Sequence, residues 1–152
     1  MSEIARIRDQ LERAHRGSAW HGPSLREILV GVDSDTASSR PIPNGHTIRE
    51  LVVHVTAWEN EAVARLRGGA SPDMPPERDW PEGAEGKRAW EALVGELDRS
   101  HERLMSAIGE LDDDSLDQLV TGHPTSIYHL LHGVIQHNLY HAGQMVLLKK
   151  AT

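Results

Sequence analysis

His137 and His141 stand four residues apart in the stretch GVIQHNLYHAGQ. If that stretch is helical, the two imidazoles lie one turn apart on one face, about 40° from each other around the axis, where they can share one metal ion. Ten dispersed histidines in 152 residues also produce such a pair readily by chance, so its position on the helix counts for more than its spacing. Both residues fall among Leu130, Val134 and Leu148 on the helical wheel, in the stripe expected to face a core. Buried imidazoles need polar partners. A metal would serve both at once; backbone, water or a carboxylate would serve as well, and periodicity leaves the choice open. A third ligand must come from elsewhere, and His54, at the edge of an apolar stripe next to Trp58, is the best placed. His129 and His132 point away from the pair, His15 and His101 lie on charged helical stretches, and His21, His46 and His123 lie in or beside loops.

Four long amphipathic segments are available to position these residues. Ile4, Ile7, Leu11 and Ala14 recur at helical intervals and stop near Gly17, and Ser24 to Val32 reads as a short helical continuation. The segment DSDTASSRPIPNG is expected to be loop. Thr47 and Glu50 form a capping-box pattern at the start of a second long helix, which carries Ile48, Leu51, Val55, Trp58, Ala62 and Leu66 on one face and ends at Gly68-Gly69. The Pro- and Gly-rich run GGASPDMPPERDWPEG reads as a crossover loop without an element of its own, of a length often used as a functional lid. A third long helix is expected from about Ala84 to Ile108 and a fourth from Ser126 to Lys149, with the linker LDDDSLDQLVTGHPT between them. In that linker Asp112, Asp113 and Asp114 read as a helix cap and solvated turn before they read as a cation site. With no credible strand, the pattern predicts an all-α, four-helix-bundle fold in a single domain spanning residues 1–152.

Composition narrows the chemistry. The chain has no cysteine, so any metal is held by N and O ligands and any thiol must come from outside. The formal net charge of −7 and the lack of a Lys/Arg cluster argue against nucleic acid, and the lack of a long apolar run argues against a membrane span. The N-terminus lacks a signal-peptide pattern, so the expected location is the cytoplasm and the expected partner a small molecule. Trp58 and Trp90 read as core, whereas Trp20 and Trp80 lie in loop-like segments, where each could rim a pocket or fold onto the bundle.

The stretches AWHGPSLREIL, TIRELVVHVTAWENEAVARL, DWP and GVIQHNLYHAGQMVLLKK together resemble the DinB/YfiT superfamily of metal-dependent bundle proteins, over nearly the whole chain. Members take one histidine from the second long helix and a His-x-x-x-His pair from the fourth, which places the ligands at His54, His137 and His141. The resemblance further implies an up-down-down-up bundle, here with a short extra helix after the first, and frequent homodimers. Three imidazoles leave coordination positions open, as in catalytic sites, and suit zinc, nickel, iron or copper, of which zinc or nickel is expected. The open face would take water or a thiol. Similarity to superfamily enzymes that use bacillithiol, mycothiol or glutathione implies a metal-dependent thiol transferase or related detoxification enzyme with a low-molecular-weight thiol as cosubstrate. A metal-dependent hydrolase, with Glu61 as the candidate base two turns after His54, and a noncatalytic bundle stapled by metal are the alternatives. Gln144, near His141 in helical angle, is a candidate to touch a ligand on the metal.

Overall fold

Five of the helices begin at a side chain that takes up a free backbone amide. Ser2, Ser24, Asp33, Thr47 and Ser126 accept from the amides of Ala5, Glu27, Thr36, Glu50 and His129. The capping box expected at Thr47 is formed, and Ser24 with Glu27 forms a second. The computed structural model describes residues 1–69, 73–82 and 85–152. In chain order the helices are α1 (Glu3–Arg16), α2 (Leu25–Leu29), α3 (Ser34–Ser38), α4 (Ile48–Leu66), α5 (Pro76–Asp79), α6 (Lys87–Gly109) and α7 (Ile127–Ala151), with a 3₁₀ turn at Asp113–Ser115. The described residues form no strand; Leu119 and Ser126 make one isolated antiparallel bridge. No helix among them is long and apolar enough to cross a membrane.

Two segments expected to be irregular contain helices. In DSDTASSRPIPNG the Asp33 cap and a single buried apolar residue, Ala37, dock the one-turn α3, which is too short to show a periodicity. In the Pro-rich crossover, Pro76 opens α5 with its φ already set for a helix. The start of the third long helix expected at Ala84 lies outside the described residues; α6 begins at Lys87. The acidic linker behaves as a set of caps. Asp112 accepts from Ser115, and the Asp113 carboxylate accepts from the amides of Glu3 and Ile4, closing the N-terminus of α1 from across the molecule.

The helices α1, α4, α6 and α7 pack as a helical bundle, α4 against both α6 and α7, and α1 against α6 and α7. Their apolar side chains form two separate clusters. One joins Ile7 and Leu11 to Ala62, Leu104, Ile108, Leu131 and Ile135; the other joins α2 and α3 to Leu51, Val55, Leu97, Ala142 and Met145. Along α4, α6 and α7 the clusters break between Val55 and Ala62, Leu97 and Leu104, and Ile135 and Ala142. Two helical turns of each helix therefore pass through a layer that is not aliphatic. Filling that layer are His15, Glu59, Ser100, His101 and Asn138, each no more than 1% exposed.

Candidate metal centre

His54 on α4 and His137 and His141 on α7 turn their Nε2 atoms toward one another. Nε2 of His137 lies 2.9 Å from that of His54 and 3.1 Å from that of His141. Nitrogens sharing one ion at bonds of ~2.0–2.1 Å lie roughly 3 Å apart, so the separations are of the right size. The outer nitrogens fix the protonation of two rings. Nδ1 of His54 donates to the backbone carbonyl of Asp79 at 2.7 Å, and Nδ1 of His141 donates to Oε1 of Gln144 at 2.6 Å. Both Nε2 atoms therefore present lone pairs inward, and His137 can donate to only one of them. Convergent lone pairs call for a cation, and the histidines fit a divalent metal with nitrogen preference.

Electrostatics agree with that fit. Burial, followed by the neighbouring rings of His141 and His54, holds the His137 pKa down at about 4. Burial also lowers His54 against the raising influence of the Asp79 carbonyl, and lowers His141 against that of Gln144. All three are thus kept as neutral imidazoles, the form that ligates.

The residues around the triad come largely from the segment expected to be structureless. Asp79 ends α5, and its carboxylate also accepts from Nε1 of Trp58 at 2.7 Å, so one residue orients His54 and fixes the tryptophan beside it. Trp80 lies flat on His54, with ring centroids 3.8 Å apart, and His46 stacks on the opposite face of Trp80 at 3.6 Å. Beyond Trp80 is a groove of about 400 Å³ bordered by Arg40, His46, Arg49 and Glu50. Tyr140 stands edge-on to His141 and is largely exposed.

The three expected ligands are brought together, but their place on the helix differs from the expected one. The buried stripe of α7 also contains Leu131, Ile135, Ala142 and Met145, so its centre falls near Asn138, and His137 lies half-buried at its edge. That position points it across to α4. Gln144 contacts His141 itself on the side away from the other two rings. Glu61 is buried and is bound by Arg65 and Arg78, with its carboxylate engaged on both oxygens. Trp90 is core and donates to the carbonyl of Val32, Trp58 is half-buried beside His54, and Trp20 is fully exposed. Asp79 lies in the DWP string that carries the family resemblance, and nothing in its local sequence marks it as a partner of His54. His15 and His101, expected on charged helical stretches, are instead fully buried beside Glu59.

Three imidazoles gathered between two helices of an all-α bundle, two of them with their outer nitrogens tied down, form a group that could hold a divalent metal ion. The chain belongs to the DinB superfamily, whose family model matches residues 19–145. No match was found among curated proteins or among solved structures.

Proposed function

We propose that this protein is a metal-dependent thiol transferase of the detoxification or stress-response type, with His54, His137 and His141 holding a zinc or nickel ion. The observation that carries the metal is the convergence of the three Nε2 atoms with two of the outer nitrogens committed as donors. When bound, such an ion supplies Lewis-acid activation of a thiol at neutral pH, which a chain without cysteine cannot supply itself.

The chain's own residues then have definite tasks. Asp79 and Gln144 hold two rings in the ligating tautomer. Trp80 covers one face of His54 and keeps water from it, while its other face and His46 border the groove in which the remainder of a thiol cosubstrate would lie. The hydrolytic alternative is not favoured, because Glu61 is already taken by two arginines and is poorly disposed to act as a base. The proposal includes the up-down-down-up order of the long helices, a homodimer and a cytoplasmic setting.

Elemental analysis of untagged protein tests the metal. About one equivalent attributable to the triad is expected to disappear in His141→Ala. With Co²⁺ at the triad, adding glutathione, mycothiol or bacillithiol should raise a sulfur-to-cobalt charge-transfer absorption. Metal content unchanged by His141→Ala would remove the basis of the reading, and bound cobalt that is blind to all three thiols would remove the transferase.

A further inference from the structure

We infer that the polar layer in the middle of the bundle is a second divalent-metal site, with His15, Glu59 and His101 as ligands and Asn138 beside them. It is independent of the triad and of the activity proposed for it. The three side chains are buried, and one ligand atom from each lies within 4.8 Å of the others. They come from α1, α4 and α6, and Asn138 from α7, so all four long helices meet there.

The hydrogen bonds show which atoms face inward. Nε2 of His15 is held by Asp98 at 2.9 Å and Nε2 of His101 by Glu12 at 3.0 Å. A carboxylate on the outer nitrogen sets the tautomer of a metal-ligating histidine and raises its basicity. In the neutral ring with its proton on Nε2, the form a metal selects, each Nδ1 presents a lone pair to the interior, and neither Nδ1 has a hydrogen-bond partner within bonding distance. They face Glu59, whose Oε1 lies 3.9 Å from Nδ1 of His101. Glu59 already receives Ser100 Oγ at 2.5 Å on one oxygen and Asn138 Nδ2 at 2.9 Å on the other, which fixes its orientation. Oδ1 of Asn138 is also buried without a partner. In the neutral rings, two nitrogen lone pairs thus converge with a carboxylate in the buried layer. Unpaired buried acceptors are costly, and a cation would satisfy them together.

Two imidazoles and one or two oxygens suit Zn²⁺, Co²⁺, Fe²⁺ or Mn²⁺ better than Ca²⁺, which takes oxygen ligands. Donors sharing an ion must come within roughly 4 Å of each other, so the site closes slightly on binding. The rings of His15 and His101, stacked at 4.0 Å and only 3° from parallel, tilt apart in doing so, since a metal lies close to the plane of each imidazole it binds. Full burial makes this a closed site that joins four helices, in contrast to the half-open triad.

The test uses the full chain with the triad removed as His54→Ala/His137→Ala/His141→Ala, stripped of metal and titrated with Co²⁺. One equivalent is expected, with X-ray absorption showing two imidazoles and oxygen on the cobalt, and a further Glu59→Gln substitution should weaken binding at least 100-fold. A folded triad-less protein that binds no cobalt, or binds it without imidazole scattering, overturns the inference. Should that variant fail to fold, wild-type stoichiometry decides: two equivalents support the second site and one refutes it.

Discussion

The two histidine clusters share α4 and α7 and differ in almost every other respect. The triad places neutral rings at the side of the bundle, with His137 half-buried, an exposed tyrosine nearby and a tryptophan lid over one ring. The mid-bundle layer places its rings in full burial, each backed by a carboxylate, where a run of aliphatic packing is interrupted on three helices. At His54 and His141, burial outweighs the raising influence of Asp79 and Gln144 on the outer nitrogens, and the ring is kept neutral. At His101, burial acts to lower the pKa, but the carboxylates of Glu59 and Glu12 on either side outweigh it and the pKa is raised. His15, although its outer nitrogen meets Asp98, is lowered by burial and by the neighbouring His101, so within the layer the balance of burial and carboxylates differs from ring to ring.

The largest effect that would break this contrast is in the layer. Glu59→Ala removes the shared partner of Ser100 and Asn138, leaving the buried Nδ2 of Asn138 unmatched and Ser100 with only the carbonyl of Leu97, which should cost about 3 kcal/mol in urea unfolding, whereas His54→Ala should cost far less in metal-free protein. Equal losses would mean that the layer is no more integral to the core than the triad.

Acid should act on His137 and His101 with opposite sign. His137 has a pKa of about 4 in the fold and an ordinary value of 6.5 outside it, so the unfolded chain takes the proton first. Its contribution is intact above about 6.5 and is lost as pH falls toward 4, on the order of 2 kcal/mol after allowance for partial exposure. His101, raised by its carboxylates, contributes stability at low pH that is lost as pH rises through its folded value. Urea midpoints of metal-free wild type and His137→Gln between pH 4 and 7 should therefore diverge, the variant being less acid-sensitive; parallel curves would contradict the neutral-ring account.

Gln144→Ala sharpens the comparison on the triad side. Losing the acceptor on Nδ1 of His141 should weaken metal binding by about 10–100-fold in a chelator competition, with the fold intact. An unchanged affinity would show that Gln144 does not set the tautomer. The smallest effect expected is Thr47→Ala, about 1 kcal/mol in thermal unfolding through the lost cap of α4, with both clusters retaining their geometry.

The same contrast explains what could be read from the chain. The triad was legible because His137 and His141 share a helix and a face, and because His54 stands beside an apolar stripe. The four long helices were legible from their aliphatic spacing and from Thr47 and Glu50. His15 and His101 were not, because each sits among arginines and acids that mark a solvated face: Arg13 and Arg16 around the first, Arg99, Glu102 and Arg103 around the second. Only packing reveals that those flanking charges lie outside while the imidazoles point in. Glu59 was hidden in the same way, one residue after Trp58 on a helix read for its apolar positions. The role of Asp79 depends on a one-turn helix in a proline-rich segment, where no periodicity can announce it. The missed signal in each case was nonlocal, a partner on another helix.

The cap that Asp113 places on Glu3 and Ile4 ties the first turn of α1 to a residue 110 positions further along the chain. During synthesis α1 emerges first, yet its opening turn is completed only when the segment after α6 arrives. The helix made earliest is finished late, and hydrogen exchange at the amides of Glu3 and Ile4 becomes a clock for closure of the bundle. Their protection should appear together with that of α7, and Asp113→Asn, which keeps the shape and removes the charge, should shorten it.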